Sequence, residues 1–176
     1  TQGVSSAASD VYKRQLEAHV DIAMQHGQLV LIHTPHLADK AHGTKRVLEV
    51  LAGMNVDRER IWIDHVEEHT IEPCLDAGYW VGFTLYPITK CSPKRAVDML
   101  ERYGTERILV NSSADWGPSD PFTLQECILE YRRRGHSLQE AIEVFHNNPC
   151  RFLGQNPKFD IRPIRVEPAG DPVLAG

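Results

Sequence analysis

The chain has 176 residues, 41% hydrophobic and 24% charged, enough to bury one ordinary soluble core. With 19 Lys+Arg against 24 Asp+Glu, the formal charge of -5 gives no general attraction for a polyanion or an anionic membrane surface. No apolar run approaches a membrane span, and the four widely spaced cysteines form no C-x-x-C pair, which argues against a zinc knuckle or redox dithiol and fits a reducing cytoplasm.

Residues 1–15, TQGVSSAASDVYKRQ, are small and polar, without helical or strand periodicity. They resemble translated sequencing adapter and are expected to be a non-native scar or a disordered arm. From Leu16 the chain alternates. LEAHVDIAMQH sets Leu16, Val20 and Met24 on one helix face and stops at Gly27; the buried strand LVLI follows. TKRVLEVLAGM predicts a second helix, and IWI a second strand. Thr70 is placed to cap the helix IEPCLDA, which tolerates Pro73 in its first turn and ends at Gly78. YWVGFTLY is the third strand, with Gly82 permitting close backbone approach. Ser92-Pro93 begins a helix to Tyr103, and ILV is the fourth strand. Asp120-Pro121 begins a helix ending near Gly135, and Ser137 with Glu140 forms a capping box for the last long helix. The Pro- and Gly-rich stretch 156–176 predicts an extended tail with little order.

This alternation at roughly 20–30 residues predicts an α/β fold with a parallel sheet. No Gly-rich phosphate loop follows a strand, so a barrel fits better than a nucleotide-binding fold. A closed (β/α)8 TIM barrel needs eight strands and about 250 residues, so the expected fold is a partial TIM barrel.

Three apolar runs lead to potential metal ligands: LVLIH to His33, IWIDH to His65 and ILVNSSAD to Asp115. Imidazoles at the C-terminal ends of adjacent parallel strands are close enough to share one divalent ion; a histidine merely hydrogen-bonded at the rim is the simpler reading of either alone. Asp115 can complete the coordination and accept a proton from an activated water, or serve as a turn aspartate. His36 can reach substrate or stand solvated in its loop. Glu68 can contact substrate or orient an imidazole, or belong to an acidic helix start. Tyr86 can face the rim or pack within its loop.

LVLIHTPH, IWIDHVEEHT, YWVGFTLYPITK and ILVNSSADWGPSDP together resemble the second half of TatD-like metal-dependent hydrolases, a branch of the amidohydrolase-like barrels, over about 16–155. The resemblance implies strands five to eight with their helices and one or two divalent ions (Zn, Mg or Mn). It also implies His33, His65 and Asp115 as metal ligands, Asp115 doubling as proton acceptor, and His36, Glu68 and Tyr86 near a small-molecule or phosphoester substrate. The family's H-x-H pair and strand-four glutamate have no counterpart here, so the expected partner is the missing N-terminal half of the same barrel, and the chain is expected to be inactive alone. Pro35 and Glu67 stand where familiar members carry Arg and an aromatic, and Ala114-Asp115-Trp116-Gly117 replaces Thr-Asp-x-Pro. The lost Arg removes a phosphate contact, which weighs against DNase activity. An ester or phosphodiester is the expected substrate. The alternatives are an amide or lactone hydrolase, a non-catalytic metal-binding barrel, and a sugar-phosphate isomerase, for which the strand ends offer too few carboxylates.

Overall fold

The computed structural model describes residues 2–34, 39–86, 90–113 and 119–165, with side chains from residue 10 onward. Its centre is a four-stranded parallel sheet in sequential order: β1 (Val30–His33), β2 (Ile61–Asp64), β3 (Trp80–Leu85) and β4 (Ile108–Ser112). Between and after the strands run α2 (Lys40–Ala52), α3 (Ile71–Asp76), α4 (Pro93–Tyr103) and α5 (Thr123–Arg133), preceded by α1 (Gln2–Gln25). Parallel neighbours need a crossover between them, and the helical segments of the predicted alternation supply it. No helix among the described residues is long and apolar enough to cross a membrane.

The two faces of the sheet differ in chemistry, following the two-residue side-chain period of a strand. Outward, Ile61, Ile63, Val81, Phe83, Ile108 and Val110 pack with Val20, Leu51, Val97, Leu100, Tyr131 and Val144 of the helical layer. Each fully buried aliphatic side chain here contributes about 1.5–3 kcal/mol over exposure. Inward, Trp62, Trp80 and Leu109 pack on Phe152 of α7 (Asn148–Leu153), whose ring meets the two indoles at 5.8 and 5.6 Å. Aromatic bulk thus fills the N-terminal end of the inner face and leaves the C-terminal end to polar groups.

Local signals account for most helix ends. Ser92 accepts the Arg95 amide hydrogen, Ser137 and Glu140 form the reciprocal capping box, and Gly27 (φ 60°) stops α1. Three expectations need correction. The first helix runs back to Gln2 through residues expected to lack regular structure. That stretch is free of proline, which would interrupt the helical ladder, and Val11 and Tyr12 are exposed on it. Thr70 does not cap α3; its hydroxyl closes a local turn with the Glu67 backbone. Asp120 accepts the Phe122 amide hydrogen in a turn ahead of α5, which begins at Thr123. The last long helix runs without a break as expected, through α6 (Leu138–Ile142), a π-helical turn (Glu143–Asn147) and α7. Pro149 lacks an amide hydrogen for the regular ladder, and the wider turn precedes it. Asn147, buried in that turn, exchanges two hydrogen bonds with the Ile164 backbone and fastens the extended segment after α7.

Beyond β2, Arg95 of α4 makes two hydrogen bonds to the Glu68 carboxylate, at 2.8 and 2.5 Å, and reaches Glu67, which also pairs with the buried Lys40 at 3.3 Å. Burial pulls the Lys40 ammonium below its ordinary value against the opposing pull of Glu67. The Arg95 guanidinium holds the Glu68 carboxyl below its ordinary 4.5. A depressed carboxyl stabilises the fold above its unfolded pKa, and that stabilisation disappears as pH falls through the folded value. In urea titrations, wild type should therefore exceed Glu68→Gln by on the order of 1 kcal/mol at pH 7, allowing for solvent screening, with the gap closing as pH drops below 4.5. A gap independent of pH would dissociate the effect from this ion pair. The four cysteines are free and buried, and burial pushes the thiols of Cys74, Cys91 and Cys127 up to about 12, so none of these three is poised as a nucleophile.

Candidate metal centre

Sheet register places the site. His33 pairs with Asp64 across β1 and β2, and Thr84 pairs with Asn111 across β3 and β4, all at the C-terminal ends of their strands. Side-chain alternation turns these four residues to the inner face. His65, just past β2, would point away if the strand continued. Its backbone instead takes φ 66°, a left-handed conformation uncommon for a non-glycine residue, and its ring sits 4.9 Å from that of His33.

Asp64 is the centre of the group. The residue is 3% exposed, and its Oδ1 accepts hydrogen bonds from Thr84 Oγ1 at 3.1 Å and Asn111 Nδ2 at 3.0 Å. Its Oδ2 lies 3.1 Å from His33 Nδ1 and 3.4 Å from His65 Nδ1. His33 Nδ1 and His65 Nε2 are 3.2 Å apart, and His65 Nδ1 lies 2.7 Å from Thr84 Oγ1. Gly82 makes room for this arrangement: a Cβ there would come within 2.1 Å of Trp62 Nε1 and 2.5 Å of Asp64 Oδ1.

A divalent cation fits this donor set. With ligand bonds of about 2.1 Å, neighbouring donors around a four- to six-coordinate ion stand roughly 3.0–3.4 Å apart. The separations of 3.1 Å (His33 to Asp64) and 3.2 Å (His33 to His65) fall in that range. One ligand atom from each of His33, Asp64 and His65 lies within 4.8 Å of the other two, the one such group among the described residues. The sheet leaves it open on the β1 side, where the His33 side chain is 63% exposed.

Sequence reasoning paired His33 with His65, and the structure brings them together. Asp115 and His36 lie outside the described residues. Glu68 is turned to Arg95 and orients neither imidazole of this group; Tyr86 is 2% exposed, with Lys90 Nζ 5.9 Å from its ring centre, so it packs rather than standing open at the rim. Asp64, Thr84 and Asn111 were missed. Their signal was strand alternation: Trp62 and Asp64 share a face, as do Thr84 and Gly82, and a carboxylate on an inner face is costly to bury unless it is paired.

No family model matches the chain. It is 24% identical over 142 residues to an uncharacterized metal-dependent hydrolase of Methanocaldococcus jannaschii, covering 80% of this chain and 55% of that protein. Among solved structures, it is similar to a TatD-like protein from Archaeoglobus fulgidus (24% identity, TM-score 0.62, 85% of this chain and 55% of the other). A second similar structure is a beta-aspartyl dipeptidase from Fervidobacterium islandicum (14% identity, TM-score 0.54, 77% and 42%). The curated relative is thus a metal-dependent hydrolase and the similar solved structure a TatD-like protein, and the fold is a partial TIM barrel. The chain spans about half the length of the relatives it matches.

Proposed function

We propose that this chain carries the metal-holding part of a divalent-metal-dependent hydrolase of the TatD-like type, acting on an ester or phosphodiester. The observation supporting this most directly is the cluster of two imidazoles and a buried carboxylate at the C-terminal ends of parallel strands, with donor separations of 3.1 and 3.2 Å. His33 and His65 hold the ion with Asp64 beside them, and Asp115 is assigned as a further ligand and as acceptor of the attacking water's proton. One or two ions are expected, and a mixed imidazole and carboxylate set suits Zn or Mn better than Mg. When bound, such an ion supplies Lewis acidity and lowers the pKa of water towards 7. The chain's own part is to fix the donors on rigid strands and to keep a carboxylate within reach of the water. His36 remains assigned to substrate. Glu68 and Tyr86, given their present contacts, are assigned to holding the loops around the site.

The rest of the ligand set is assigned to the portion of such proteins that this chain does not span. Completed with a segment supplying an H-x-H pair and a glutamate, the protein should hydrolyse an aryl phosphodiester or aryl ester as Mn²⁺ or Zn²⁺ is titrated in, and EDTA should abolish the rate. The 176-residue chain alone should bind the ion without turnover. Hydrolysis indifferent to EDTA would overturn the reading, and turnover by the chain alone would remove the need for additional donors.

A further inference from the structure

We propose that Thr84 sets the ring tautomer of His65 and, with Asn111, fixes the Asp64 carboxylate, so that β3 and β4 govern how tightly the donors on β1 and β2 take a divalent cation. This rests on the metal-site reading above and adds to it a positioning role for residues that do not themselves hold the ion.

The inference follows from counting protons. A threonine hydroxyl has one proton to donate and lone pairs to accept with. Thr84 Oγ1 is 3.1 Å from a carboxylate oxygen of Asp64, which only accepts when ionised, and 2.7 Å from His65 Nδ1, which does either. If the hydroxyl donated to His65, its lone pairs would face the Asp64 carboxylate in a site where Thr84 and Asp64 are each 3% exposed and no solvent relieves the repulsion. The proton therefore goes to Asp64, and Thr84 accepts from His65 Nδ1–H. The second Asp64 oxygen, 3.4 Å from the same nitrogen, favours a proton there as well. With Nδ1 protonated, the lone pair of His65 is on Nε2, the atom that faces His33 Nδ1 at 3.2 Å. The ring thus presents its basic nitrogen to the metal position before any ion arrives. Asn111 completes the arrangement: its amide, 3.0 Å from Asp64 Oδ1, holds that oxygen in place and leaves Oδ2 directed at the imidazoles.

Thr84→Val keeps the shape of the side chain and removes the hydroxyl; Thr84→Ser keeps the hydroxyl. Side-chain ¹⁵N NMR of the metal-free protein reads the tautomer, and calorimetry with Zn²⁺ reads affinity. In wild type, His65 should carry its proton on Nδ1. Thr84→Val should lose that fixed tautomer and bind Zn²⁺ roughly 10–100-fold more weakly, the usual effect of removing a partner behind a metal-ligating histidine, and Thr84→Ser should return both towards wild type. A wild-type His65 protonated on Nε2, or a Thr84→Val protein with unchanged tautomer and affinity, would overturn the proposal. If the wild-type chain took up no Zn²⁺, the metal-site reading would fall instead, while the metal-free NMR spectrum would still decide the role of Thr84. Should Thr84→Val fail to fold, the wild-type tautomer and the serine variant decide.

Discussion

Replacing His65 with alanine should abolish tight divalent-cation binding while leaving the fold intact. The ring supplies one of three donors in a group whose members lie within 4.8 Å of one another, and its loss leaves His33, 63% exposed at its side chain, and Asp64 as neighbours that can no longer enclose an ion. Losing a hydrogen-bond partner behind a ligand costs about 10–100-fold in affinity, so loss of the ligand itself should cost at least about 100-fold. The fold should tolerate the change because His65 lies past the end of β2 and its left-handed backbone is borne by the turn, not by the sheet ladder. Titrating Zn²⁺ calorimetrically into wild type and His65→Ala, with circular dichroism to confirm structure, makes the comparison. A variant that binds as tightly as wild type would remove His65 from the site.

Gly82→Ala should damage stability and site together. The added methyl would press on Trp62 Nε1 at 2.1 Å and Asp64 Oδ1 at 2.5 Å, distances that no rotamer change at residue 82 can relieve. Trp62 is packed edge-on against Phe152, and Asp64 is tied to Thr84 and Asn111, so both neighbours resist moving. Overpacking in such a place costs typically 1–3 kcal/mol, sometimes more, and for a chain of this size about 3 kcal/mol would lower Tm by roughly 6–12 °C. Calorimetric unfolding tests the first effect and Zn²⁺ titration the second. Equal Tm and equal affinity would mean that the sheet opens at Gly82 more readily than its packing suggests.

The fold was largely legible because its signals are local. Apolar runs ending at Ile32, Ile63, Leu85 and Val110 mark the strands, and Ser92, Ser137 and Glu140 mark helix starts through contacts three residues away. The extension of α1 to Gln2 was not, since the stretch before Leu16 carries no periodic apolar stripe. At the site, His33 and His65 were visible as residues closing apolar runs. Asp64 was hidden by the more conspicuous histidine that follows it, because the left-handed turn that brings both to one side is a backbone event without a residue signature. Thr84 and Asn111 reach Asp64 from 20 and 47 residues away, a relation set by strand stagger. Glu68 reads as a candidate for the site only until Arg95, 27 residues on, is found against it.

The cluster draws one polar side chain from each of four strands: His33, Asp64, Thr84 and Asn111. Any relative slide of neighbouring strands would break a donor–acceptor pair at the rim as well as the backbone ladder. An ion held by His33, Asp64 and His65 would therefore act as a rivet between β1 and β2, and by thermodynamic linkage whatever it gains on binding would be added to the work of separating those two strands.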